Sequence, residues 1–144
     1  MIRKAISKDE ALLAQLACAL WPDHALEEMA EEMAALLQNG EAACFLAFEE
    51  EMPVGFAQCQ LRHDYVEGTE GSPVGYLEGV YIREEYRKKG YARALLSACE
   101  NWAKEKGCTE FASDCELENG ESLAFHLRAG FQEANRIICF TKKI

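Results

Sequence analysis

The chain has 144 residues, 49% of them apolar, with 25 acidic against 15 basic side chains and a net charge of −10. That is the size of one domain, spanning residues 1–144, with enough apolar content to bury a core; so acidic a composition excludes the broad basic stripe that nucleic-acid binding needs. No apolar run approaches the roughly 20 residues that cross a bilayer, so we expect a soluble, cytoplasmic protein with no membrane or nucleic-acid partner and a surface suited to a cationic small molecule.

From Lys8 to Trp21 the residues Leu12, Leu13, Leu16, Ala17 and Leu20 recur at helical spacing. Ser7 is the expected N-cap, Glu10 completes a capping box, and the turn at Pro22 ends the helix. A second helix is predicted from Leu26 to Gln38, with Leu26, Met29, Met33, Leu36 and Leu37 on one face and a stop at Asn39-Gly40. Its acids Glu27, Glu28, Glu31 and Glu32 read most simply as a solvated face. Two strand-like runs follow, Ala43 to Glu49 and Val54 to Arg62, joined as a hairpin by an acidic turn ending in Pro53. Asp64 to Pro73 is a polar, glycine-containing surface loop. Tyr76 to Ile82 is a strand, Gly90 to Lys106 a helix with Leu95, Leu96, Cys99, Trp102 and Ala103 inward, and Cys108 to Cys115 a strand. Glu121 to Arg128 is a helix closed by Gly130, and Arg136 to Thr141 a last strand. The central strand, helix, strand order implies a parallel pair joined by a right-handed crossover, and the hairpin makes the whole sheet mixed. Ligands of such sheets sit at the carboxyl ends of the parallel strands, which directs attention to the turn after Ile82 and the loop after Asp114.

The seven cysteines, Cys18, Cys44, Cys59, Cys99, Cys108, Cys115 and Cys139, are scattered and form no C-x-x-C pair. They read as reduced thiols rather than a disulfide framework or a zinc site.

The stretch EEYRKKGYARALL, Glu84 to Leu96, concentrates positive charge in this acidic chain. Arg87-Lys88-Lys89-Gly90-Tyr91-Ala92 lies at the start of the crossover helix, which offers unpaired N–H groups and the positive end of its dipole. Gly90 permits a tight turn, and the small Ala92 lets a diphosphate approach the backbone. Cations at a helix N-terminus oppose the dipole, so a phosphate cradle explains them better than a plain basic helix start. Neither G-x-x-x-x-G-K-[ST] nor a G-x-G-x-x-G following a strand is present.

The pattern R-x-x-G-x-[GA] after the strand YLEGVYI is the acetyl-CoA-binding signature of the GNAT N-acetyltransferases, and the chain resembles them over nearly its whole length. ENGESLAFHLRAGF is similar to their second cofactor-contacting helix. Within that superfamily, ALWPDH, RHDYVEGTEGSPVGYLEGVYI and FASDCELEN together resemble the aminoglycoside 6′-N-acetyltransferases. The resemblance implies the α/β GNAT fold, a central mixed sheet flanked by helices with splayed parallel strands. It implies acetyl-CoA as co-substrate, no metal, a polycationic amine acceptor, antibiotic resistance as the outcome, and a homodimer to which the C-terminal strands contribute. The diphosphate would meet Arg87, Lys88, Lys89, Gly90, Tyr91, Ala92 and Arg93. The pantetheine arm would pair with backbone around Val80 and Ile82, and Asn119 would bond it from the second helix; read alone, Asn119 is equally a turn or N-cap residue.

N-acetylation requires a neutral amine to attack a thioester carbonyl, stabilisation of the oxyanion, and a proton for the departing thiolate. Glu78 is the first candidate base, because a carboxylate inside a strand is expensive to bury without a purpose or partner; the alternative is an ion pair with a neighbouring Arg. Gly79 beside it signals a β-bulge or a close backbone approach. Asp114 closes the second parallel strand, where the resemblance implies an acid that binds or deprotonates the amine; the alternative is a loop or cap acid. Trp21 and Tyr65 match positions that wall the aminoglycoside site and offer ring faces to ammonium groups, although Trp21 also fits a core role. Asp64, Glu67 and Glu70 are further candidate ammonium partners. Two departures stand out. His126 occupies the position where many relatives place a proton-donating tyrosine, and Asn135 the position where resembling enzymes place a substrate-contacting acid. The remaining alternatives are a polyamine, another small amine or a protein N-terminus as acceptor, and a non-catalytic acetyl-CoA-binding module.

Overall fold

The strand Ala42–Glu49 (β2) is buried along its whole first six residues, and that explains its unbroken apolar sequence. Successive side chains of a strand point to opposite faces, so Ala43, Phe45 and Ala47 enter one core cluster while Cys44 and Leu46 enter another. Both faces of the sheet are therefore covered, the arrangement an α/β protein requires.

The computed structural model describes residues 1–144. Its strands are β1 (Ile2–Lys4), β2, β3 (Met52–Arg62), β4 (Val74–Ile82) and β5 (Phe111–Ser113), and its helices α1 (Glu10–Leu20), α2 (Leu26–Leu37), α3 (Tyr91–Glu105) and α4 (Gly120–Arg128). The five strands form one sheet in chain order, with every neighbouring pair antiparallel except the parallel β4 and β5. The sheet is thus mixed, as expected, and α3 is the crossover. On one face α3 buries Leu95, Leu96, Cys99, Trp102 and Ala103, the residues its spacing assigns inward, against Val54, Ala57, Cys59, Leu77 and Ile82. On the other, α1 and α2 pack Leu13, Leu16, Ala17, Met29 and Met33 against Phe56.

The differences from the sequence reading have local causes. β1 is only three residues long and pairs with the far end of β2, too short for an alternation to be visible. Ser7 does not cap α1. It opens a 3-10 turn, Ser7–Asp9, and the polar work there falls to Asp9. The Asp9 carboxylate accepts the Ile6 N–H at 2.8 Å and both terminal nitrogens of Arg3 at 2.8 and 2.9 Å. The hairpin turn is Glu50-Glu51, with Glu50 at φ +54. Pro53 lies inside β3 opposite Phe48, beside a register shift in β2 that relieves the missing ladder donor. β5 is shorter than the predicted run Cys108 to Cys115. Residues 136–141 form no strand: Ile137, Ile138 and Phe140 are exposed, and the segment pairs with no strand of the sheet.

Asp9 is almost fully buried and its carboxyl is held below the usual range, chiefly by the Arg3 hydrogen bonds, with burial opposing and the Ile6 N–H assisting. A depressed folded pKa stabilises above the unfolded value and loses that contribution as pH falls through the folded one. Asp9→Asn is accordingly expected to lower stability by about 1–2 kcal/mol at neutral pH. The gap from the wild type should close as pH drops below the ordinary value of 3.8, as measured by urea denaturation across pH 3 to 7.

Candidate active site

The site begins with one extra residue. In the β3–β4 ladder Gln58 lies opposite Gly79 and Cys59 opposite Leu77, so Glu78 has no partner and forms the predicted bulge. The bulge reverses the alternation of β4. Leu77 faces the α3 side and so do Val80 and Ile82 beyond it, while Tyr81 packs with the α1–α2 cluster.

On the opposite side of β4 the parallel ladder with β5 is short. It runs from Gly75–Phe111 to Leu77–Ser113 and ends there. From Glu78 to Ile82 the edge of β4 that faces away from β3 has no strand beside it, and Val80 and Ile82, the expected pantetheine partners, lie on this open stretch. His126 from α4 marks the fork: its Nε2 is 2.8 Å from the Ser113 Oγ, which in turn lies 3.3 Å from the Leu77 carbonyl oxygen. His126 Nδ1 donates to the Ser122 carbonyl at 2.6 Å. The histidine is thus tied between α4 and both parting strands.

The basic loop lies just beyond β4. Lys88 and Gly90 both have positive φ, +64 and +89, and the first helical bond of α3 runs from the Ala94 N–H to the Gly90 carbonyl. The backbone N–H groups of Lys88 through Arg93 make no hydrogen bond within the chain, which is the donor-rich helix start that a diphosphate fits. The loop side chains are mostly committed to holding it. Arg87 Nε donates to the Ile82 carbonyl at 2.9 Å, Lys89 reaches Glu49 at 3.5 Å, and the Tyr91 hydroxyl donates to Glu49 at 3.0 Å. Arg93 donates to the Arg128 carbonyl at 2.9 Å and so joins α3 to the end of α4. Asn119 is the N-cap of α4, its Oδ1 accepting the Ser122 N–H at 3.0 Å, and its amide nitrogen stays free.

Glu78 is ion-paired. Arg62 donates to both of its oxygens, with Nη2 at 2.8 Å from Oε1 and Nε at 3.1 Å from Oε2. The same guanidinium lies 3.4 Å over the ring of Tyr76, and the Tyr76 hydroxyl donates to Asp114 Oδ2. The structure therefore brings Glu78 and Asp114 together through two residues to which the sequence reading gave no role of their own: Arg62, the neighbouring Arg of the ion-pair alternative, and Tyr76. One signal was available: Glu78 interrupts the apolar pattern of β4, and Arg62 is a charged residue at the end of β3. Trp21, just past the end of α1, lies against the bulge. Its indole packs on Gly79, where an added Cβ would lie 2.7 Å from Cζ2 and 2.8 Å from Cη2, and it meets Phe56 edge-on at 6.1 Å.

Tyr65 is exposed, and its hydroxyl donates to Glu67 at 3.0 Å rather than to this group. The hydrogen bond to Glu67 raises its pKa. Asn135 Nδ2 also donates to Glu67, at 3.3 Å, so a carboxylate stands next to the amide where the resemblance led us to expect an acid. Glu70 and Gly71 are held by their backbone N–H groups on Glu110. The buried thiols play no part: Cys44, pushed up to about 12 by burial, and Cys59 and Cys99 lie inside the cores.

A model of the acetyltransferase (GNAT) family matches residues 11–131. The chain belongs to this family. Among its relatives, an aminoglycoside N(6′)-acetyltransferase type 1 from Stenotrophomonas maltophilia is 44% identical over 140 residues, covering 96% of this chain and 90% of the relative. A protein of the same description from Acinetobacter baumannii is 40% identical, covering 90% and 88%. Among solved structures, AAC(6′)-Iy in complex with the bisubstrate analogue CoA-S-monomethyl-acetylneamine superposes with a TM-score of 0.96 at 35% identity, covering 100% of this chain and 98% of that one. AAC(6′)-Ih from Acinetobacter baumannii gives 0.94 at 36%, with coverage of 100% and 98%. In this GNAT acetyltransferase the bulge, the parted strands and the helix-start loop thus belong to a fold shared along the full chain.

Gly79→Ala is expected to push the indole of Trp21 off the bulge. In a Trp102→Phe background, which leaves Trp21 as the single tryptophan of the two, its fluorescence should shift to the red on Gly79→Ala while the far-ultraviolet circular dichroism stays unchanged.

Proposed function

We propose that the chain transfers acetyl from acetyl-CoA to the 6′-amino group of aminoglycosides, giving antibiotic resistance, and that it works in the cytoplasm as a homodimer. The observation that carries this reading is the meeting of two carboxylates, Glu78 and Asp114, beside an open strand edge and an indole, in a chain 44% identical to an aminoglycoside N(6′)-acetyltransferase. Acetyl-CoA supplies the activated acyl group. Its diphosphate would be held by the free N–H groups of Lys88 to Arg93, its pantetheine arm by the Val80 to Ile82 edge, with the Asn119 amide beside it. The remaining chemistry belongs to the protein's side chains. An aminoglycoside arrives with its amines largely protonated, so the site must attract ammonium groups and then remove one proton. Asp114 has one oxygen on the Tyr76 hydroxyl and the other unpaired, which leaves Oδ1 to take the amine's hydrogen directly or through water. Glu78 anchors the same group or acts as base once the acceptor shares Arg62's place. The Trp21 and Tyr65 rings offer faces for sugar and ammonium, and Glu67 and Asp64 add charge at the mouth.

Seven free thiols, four of them buried, suit a reducing compartment. The dimer reading rests on the exposed apolar groups Leu127 of α4 and Ile137, Ile138 and Phe140 of the C-terminal segment, and on the free outer edge of β5. An extended apolar segment without a ladder in its own molecule is suited to a second copy's sheet edge.

Release of CoA thiol from acetyl-CoA is expected to depend on tobramycin, with a KM within about 1 μM to 1 mM, and mass spectrometry should place the acetyl at the 6′ nitrogen. Turnover of spermidine or a peptide N-terminus without turnover of tobramycin would move the acceptor class, and cofactor binding without any turnover would favour a non-catalytic module. Glu78→Gln and Asp114→Asn are each expected to lower kcat/KM for tobramycin by about 10²–10⁴ while leaving acetyl-CoA affinity close to that of the wild type, measured by titration calorimetry. Light scattering should give twice the chain mass for the wild type and the single chain mass for Ile138→Asp; equal masses would remove the tail from the contact.

A further inference from the structure

Glu78 stands at the bulge where β4 parts from β5, Asp114 one residue past the end of β5, and like charges held on separate supports repel. The structure places between them a pair of side chains from the still-paired region. Tyr76 lies on β4 two residues before the bulge, within the β5 ladder, and is 6% exposed. Arg62 ends β3, opposite Val74. Its guanidinium is laid flat on the Tyr76 ring at 3.4 Å and donates to both oxygens of Glu78. The Tyr76 hydroxyl reaches in the other direction, to Asp114 Oδ2.

Each contact constrains orientation more than it contributes stability. The Arg62 side chain is 37% exposed, and an ion pair so open to solvent adds little to folding. A planar fork that is stacked on one face and bidentate at its edge, however, fixes the plane of the carboxylate it holds. Burial, reinforced by the Asp114 hydrogen bond, lifts the Tyr76 phenol well above its usual range, so the hydroxyl stays a donor at every working pH. Two carboxylates against one guanidinium leave a single uncompensated negative charge, the amount one ammonium group neutralises.

We propose that Arg62 and Tyr76 act as one positioning unit that sets the separation and orientation of Glu78 and Asp114 for an incoming ammonium group, and so governs acetyl transfer without touching the reacting atoms. This rests on the reading above in which those two acids meet the acceptor. Tyr76→Phe keeps the ring and its stacking and deletes only the hydroxyl; Arg62→Lys keeps the charge and deletes the fork. Kinetics with tobramycin, acetyl-CoA titration and thermal melting of both singles and the double variant test it.

Each single substitution is expected to lower kcat about ten- to hundredfold with acetyl-CoA affinity and Tm close to wild type. The double should lose no more than the worse single, since both act on one arrangement. Wild-type kcat in either single, or losses that multiply in the double, would overturn the proposal. A wild type that acetylates a different amine and not tobramycin overturns the aminoglycoside reading alone, and the same variants measured on that amine then decide the positioning unit by the same criteria.

Discussion

The structure depends on a ladder that stops. β4 and β5 pair over three residues and then separate at Leu77 and Ser113, and the extra residue Glu78 turns β4 at the same point. A continued parallel ladder would satisfy every backbone group and leave nothing to bind with. Stopping it frees a length of strand edge in the middle of a rigid sheet, where its position is fixed by β3 on one side and α3 behind. Irregular backbone next to a site is costly unless the surroundings hold it, and here three side-chain links do so. Ser113 bonds across the fork, His126 ties Ser113 to α4, and Arg87 takes the last carbonyl of β4.

The charge distribution follows from the same constraint. The parted strands present one mouth to the basic loop and another to the acids. On the loop side the unpaired donors are chiefly backbone N–H groups, since Arg87 and Lys89 are engaged with Ile82 and Glu49. A protein of net charge −10 can thus offer a local anion site without a basic surface. On the acid side the overall negative field draws a polycation, while Arg62 and Tyr76 keep the two carboxylates from repelling each other apart.

The fold was largely legible because its signals are periodic. α3 carries inward residues at every expected position, β2 is apolar on both faces and proves to be covered on both, and Gly79 beside Glu78 marked the bulge. Where the reading departed, tertiary partners made the difference. Ser7 had the chemistry of a cap, but Asp9, joined to Arg3 from a strand only three residues long, took over the helix start. Ile137 to Phe140 had the composition of a strand, yet β composition does not choose a ladder, and the segment pairs with neither free edge of this sheet.

The site divides in the same way. Residue identity and local spacing determined the loop Arg87–Ala92, the bulge at Glu78-Gly79 and the acid closing β5, because a helix start, a glycine in a strand and a carboxylate after a strand are each local facts with a local physical cost. Family membership follows from those motifs and their order. Which groups touch was decided only by the tertiary structure. Arg62 and Tyr76 are 14 residues apart and stack because antiparallel pairing of β3 with β4 brings them to one face, and Tyr76 meets Asp114, 38 residues on, only after the α3 crossover returns the chain beside it. A sequence records what each side chain can do; long-range strand register fixes which partner it does it with.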